Sequence, residues 1–135
     1  MMRNLTTFTA IVALGNLAIS IWHLRLAGEL NPALTFAEAV RIGTFAAVLT
    51  LIGIILLWAQ RTVIGSLVLV VVFMIGLVIG SVEHFFVPGP NNVFDAGVGT
   101  VAFLFRFTVG LLLILEIGGL WCAGRIIKSS RHSLA

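Results

Sequence analysis

The chain is 135 residues long, 60% hydrophobic and only 10% charged, with a formal net charge of +3 and a mean hydropathy of +1.18. A soluble domain runs nearer half apolar and about a quarter charged, so this composition excludes a soluble enzyme, a nucleic-acid-binding module and a disordered tail. Eight basic residues against five acidic ones, in so apolar a chain, point to charges sorted across a membrane; the bilayer is the expected partner, and nucleic acid is not.

Four segments are predicted to span the bilayer, at residues 5–24, 36–59, 63–85 and 97–122. Each has the roughly 20 apolar residues that ~30 Å of hydrocarbon requires at ~1.5 Å per residue. Helix is the assignment that satisfies every backbone group in lipid. The expected fold is therefore all-α, a single domain forming an antiparallel bundle of four transmembrane helices.

The first segment reads as a retained helix rather than a cleaved leader. Its apolar run continues to Trp22 and contains Asn16 and His23, and Arg25 spoils the small-residue site at Leu26, Ala27 and Gly28. Thr9, Asn16, Ser20 and His23 recur at intervals of seven, four and three, which puts them on one helix face, turned into the bundle.

Thr35 with Glu38 three residues later reads as a capping box that opens the second helix. Arg41 follows about one turn later. Gln60, Arg61 and Thr62 make a link short enough to keep the second and third helices neighbours. In the third, Gly76 and Gly80 form a small-xxx-small pair suited to close helix approach, with His84 one turn further along the same face and Glu83 beside it.

The stretch from Glu83 to Asp95 contains Pro88, Gly89, Pro90, Asn91 and Asn92, and reads as a rigid turn-rich loop. Asp95 is expected to cap the fourth helix. Arg106 lies nine residues into that segment, roughly 13 Å deep at helical rise. An arginine there faces the interior and needs an acceptor, for which Glu83 is the candidate. Glu116 falls toward the opposite end, where Arg61, Arg125 or Gln60 would pair with it. The basic segment from Arg125 to Arg131 suits anionic lipid headgroups, and His132 is assigned to a tail beyond the helix.

Arg3, Arg61, Arg125, Lys128 and Arg131 fall on one side of a four-span layout. The excess of basic residues there places both termini in the cytoplasm of a multi-pass protein of the cytoplasmic membrane.

No catalytic constellation or phosphate loop is visible. The single cysteine, Cys122, excludes an internal disulfide and a cysteine-rich cluster. The expected function is that of a small polytopic membrane protein without catalytic machinery, acting as a homo-oligomer or as an accessory subunit of a larger membrane complex. No cofactor is required by the sequence. Two alternatives stand beside this reading. In one, His23 and His84 hold a metal with help from Glu83, or hold a b-type haem between them. In the other, an oligomeric transporter lines an anion path with Arg41 and Arg106. Arg41, Arg106, Glu83 and Asn16 are the ligand-binding candidates.

Overall fold

The computed structural model describes residues 2–31, 36–89 and 91–132. Four helices carry most of them: α1 (Met2–Leu30), α2 (Phe36–Trp58), α3 (Thr62–Ser81) and α4 (Thr100–His132). No strand occurs among the described residues. At its end α3 passes directly into one π-helical turn, Val82–Phe86, closed by the Val87 N–H on the Val82 carbonyl at 3.0 Å.

Three helical stretches are long and apolar enough to cross a membrane, Arg3–Leu30, Thr62–Phe86 and Thr100–Ser130. The described apolar part of α2, Gly43–Trp58, is shorter. Phe8, Ile11, Phe45, Ile55, Val71 and Ile114 are each more than half exposed. In water so much apolar surface would drive aggregation; against hydrocarbon it is solvated.

The packing order runs α1, α4, α3, α2, with α2 closing less extensively back onto α1. Two buried clusters result. Ala10, Ala13, Leu57, Leu69, Phe73 and Ile126 form one, near the α2–α3 turn. Leu26, Ala27, Ala96, Ala102, Phe105 and Val109 form the other, beneath the α3–α4 loop.

The closest helix contact lies between α2 and α3. A Cβ placed on Gly65 would stand 2.8 Å from both the Gly53 carbonyl oxygen and the Leu57 nitrogen, so the two backbones meet directly. The turn that joins them puts Gln60 at φ 62 and returns the Arg61 N–H to the Leu56 carbonyl at 2.9 Å. This is a left-handed helix cap of the kind glycine usually makes. Close approach was expected at Gly76 and Gly80 instead. There, a Cβ on Gly80 would meet only His84 of its own chain segment, at 3.9 Å, while one on Gly76 would run into the Glu116 carboxylate. The glycine face of α3 therefore seats a side chain and not a helix backbone.

Helix ends also differ from expectation. α4 begins at Thr100 and not at 97, because Gly97 and Gly99 adopt φ 74 and 120, outside any right-handed helix. It then continues past Cys122 to His132. Ile126 and Ser130, one and two turns beyond Cys122, are both buried and keep it packed. The Thr35–Glu38 capping box lies outside the described residues.

Candidate functional site

The polar face of α1 is turned inward, with Thr9, Asn16 and His23 all buried. Thr9 and Ser20 return their hydroxyl protons to the Leu5 and Asn16 carbonyls of their own helix, each at 2.8 Å. His23 instead reaches α4. Its Nδ1 lies 2.9 Å from Thr108 Oγ1, and the Thr108 hydroxyl donates to the Phe105 carbonyl at 2.8 Å. With its one proton committed, Thr108 accepts here, so His23 carries its proton on Nδ1 and a bare lone pair on Nε2.

His84 arrives at the same place from the π turn. Its Nδ1 lies 2.9 Å from the Asn91 carbonyl, which only accepts, so His84 also donates from Nδ1 and leaves Nε2 free. The two imidazole centres are 4.7 Å apart at 75°, and Phe105 packs against both, at 4.8 Å and 5.6 Å. Sequence spacing named both histidines; their direct contact depends on the π turn, which no sequence pattern announced.

The loop that anchors His84 is tightly bonded within itself. Val93 N–H donates to the His84 carbonyl at 2.9 Å. The buried Asn92 side chain donates to the Val87 carbonyl and accepts from the Phe94 N–H. Asp95 accepts from the Gly89 N–H at 3.0 Å. It is a loop staple, not the expected cap of α4, which starts five residues later.

Arg106 completes the clasp. Its Nε donates to the Val93 carbonyl at 2.7 Å and its Nη2 to the Gly97 carbonyl at 2.8 Å. The expected acceptor, Glu83, is not its partner; among the described residues the ion pair formed is Arg25–Glu29. Arg106 thus holds the loop that holds His84. Arg41 is exposed and does not line the cavity described next, so the two arginines share no site.

Behind His23 lies a cavity of about 230 Å³ bordered by all four helices. Glu83, which is exposed, and His23 stand on its border, as do Asn16, Ser20 and Glu116. Leu17, Phe45, Leu49, Val72, Ile79 and Leu112 supply much of the apolar wall. Asn16, Gly76 and Glu116 fall near the midpoints of the three long apolar helical stretches.

Asn16 and Glu116 are only 7% and 6% exposed. Asn16 Oδ1 is buried without a hydrogen-bond partner, and no hydrogen bond or ion pair of the Glu116 carboxyl occurs among the described residues. The expected ion pair of Glu116 with Arg61 or Arg125 is absent. α4 continues past Cys122 to His132, so Glu116 sits near the middle of its helix.

The geometry bears on the cofactor alternatives. Axial imidazoles on opposite faces of a haem stand about 6 Å apart between ring centres, since each metal–nitrogen bond spans about 2 Å. At 4.7 Å the two rings touch, and a macrocycle does not fit between them. Among the described residues no group of three histidine, cysteine, aspartate or glutamate side chains is placed to hold a metal ion. Comparison of the chain with known protein families, with curated proteins and with solved structures gave no match.

Proposed function

We propose that this is a multi-pass protein of the cytoplasmic membrane, an antiparallel bundle of four transmembrane helices with both termini cytoplasmic. Its work is to bind a small molecule in the mid-membrane cavity and not to catalyse a reaction, on its own, as a homo-oligomer or as a subunit of a larger membrane complex. The placement of Arg3, Arg61, Arg125 and Lys128 supports the orientation. At 23 residues α2 has the length of a span, roughly 34 Å at ~1.5 Å per residue.

One observation carries the binding reading. Asn16 and Glu116 are buried polar groups without hydrogen-bond partners on the border of one apolar cavity, where such groups are costly in a membrane protein. Polar groups inside a membrane are normally paired within the protein, and these two await a partner from outside. The test is occlusion. Gly76→Leu puts a side chain where the Glu116 carboxylate now lies and forces that carboxylate into the cavity, and it should abolish small-molecule binding by the detergent-solubilised chain. Unaltered binding in a folded Gly76→Leu protein would remove the cavity from consideration.

A second reading is favoured by the two imidazoles. Each has its Nδ1–H fixed by a protein acceptor and its Nε2 free, which is how metal-ligating histidines are commonly oriented. Two such nitrogens suit copper or zinc with the remaining positions open. Stoichiometric Zn²⁺ or Cu⁺ retained through desalting, and lost in His23→Ala and His84→Ala alike, is the expected result. Equal retention by the double variant would sink it.

A further inference from the structure

We infer that the cavity takes an organic amine, bound as its ammonium ion with a compact apolar body, and that Glu116 supplies the counter-charge. This rests on the cavity being a ligand site and adds which ligand chemistry fits it.

The bordering groups are strongly one-sided. Glu116 and Glu83 are carboxyl groups, and His23 has its proton committed to Thr108, leaving a lone pair on Nε2, while the unpartnered Asn16 Oδ1 is sealed off from the surface of the space. The Ser20 hydroxyl is spent on the Asn16 carbonyl. Apart from the Asn16 amide N–H, and with Glu116 ionised, no free donor among the described residues borders the space. A ligand that satisfies it must therefore bring donors, which an ammonium group does with three N–H bonds.

Charge sharpens the choice. A carboxylate in hydrocarbon needs a cation or a proton, and no lysine or arginine among the described residues pairs with Glu116. An anionic ligand would face two carboxyl groups and no guanidinium, because Arg106 is committed to the Val93 and Gly97 carbonyls and Arg41 lies elsewhere. A neutral ketone or quinone would find acceptors opposite its own acceptor. The space of about 230 Å³ is half open to the molecular surface, so a single ring or a short chain fits it without marking an upper limit. The exposed carboxylate of Glu83 gives the entrance the same sign as the interior.

The experiment uses the full chain in detergent micelles, with empty micelles as the blank, and three probes of matched shape. These are 2-cyclohexylethylamine, 2-cyclohexylethanol and 3-cyclohexylpropionate, measured by calorimetry. The amine should bind about tenfold or more tighter than the alcohol, a difference of about 1.4 kcal/mol, and the carboxylate should not bind. In Glu116→Gln, which keeps the shape, the amine's advantage over the alcohol should vanish. If the alcohol or the carboxylate binds as well as the amine, and Gly76→Leu removes that binding, the cavity is a ligand site and the amine assignment is wrong. If none of the three binds the wild-type chain, the amine assignment and the binding function fall together. An amine preference that persists undiminished in Glu116→Gln also overturns the assignment, since the charge would then lie elsewhere.

Discussion

Glu116 and His23 border the same cavity but are held in opposite ways, and opposite mutational behaviour follows. The buried ring of His23 is fixed by a hydroxyl that has no other proton to give. Thr108→Val keeps the shape and leaves a buried N–H unsatisfied, which costs about 1–3 kcal/mol; Thr108→Ser should retain most of the stability. Thermal unfolding in detergent separates the two. Glu116 has no such bond to lose. Glu116→Leu removes a desolvated polar group and should raise the midpoint of unfolding of the ligand-free protein, by an amount equivalent to about 1–3 kcal/mol, while it abolishes binding. A lower midpoint would reveal a structural partner for the carboxyl. A residue whose removal stabilises the fold is retained for what it binds.

At the scale of elements, the α3–α4 loop depends on one side chain. Arg106 spreads two donors across carbonyls four residues apart in the loop. Lysine has no fork with which to do this, so Arg106→Lys should fail to restore what Arg106→Met loses. Both should speed hydrogen exchange at the Val93 amide, which is bonded to the His84 carbonyl, and protection equal to wild type would show that the loop stands without its clasp. The α2–α3 turn invites the reverse experiment. Gln60 holds a left-handed conformation that costs a side-chain-bearing residue about 1–2 kcal/mol, so Gln60→Gly should stabilise by about 1 kcal/mol in thermal unfolding. Gly65→Ala should destabilise by about 1–3 kcal/mol, since its methyl meets backbone. Gly118→Ala, facing open space, should fall within about 1 kcal/mol of wild type. These turns and contacts were only partly legible in the sequence. Gly76 and Gly80 carried the recognised small-residue spacing, whereas Gly53 and Gly65 lie on different helices and reveal their pairing only when packed. The acceptors of Arg106 are main-chain carbonyls, which every residue possesses and which therefore leave no mark in a pattern of side chains.

For the molecule as a whole, hydropathy located all four helices because lipid permits so few alternatives. The inward face of α1 was equally legible, since three of its four polar residues are buried and all sit at helical spacing. The end of α4 was not. Basic and serine residues after Cys122 resemble a surface tail, yet Ile126 and Ser130 continue a buried stripe at four-residue intervals, and Glu116 sits near the middle of the longer helix. The proposed orientation makes a further prediction. Val98 is fully exposed in the α3–α4 loop, and Lys128 is exposed near the end of α4. A membrane-impermeant maleimide added to intact cells should label Val98→Cys and spare Lys128→Cys. Native Cys122 should stay silent in both, because it is buried. The opposite labelling pattern would invert the topology.

The π turn between α3 and the loop has a consequence for how this protein tolerates change. Such a turn accommodates one residue more than the regular helix would. Loss of a single residue between Ser81 and His84 lets the segment relax to ordinary helical pitch, in which about four residues cover the angle that five cover here, so all that follows keeps its phase. The loop would keep the carbonyls of Val93 and Gly97 over the guanidinium, and His84, inside the turn, would shift relative to His23. A one-codon deletion at this place would disturb the imidazole pair while sparing the loop and its clasp. Substitutions along the same stretch keep the helical phase and leave the pair together.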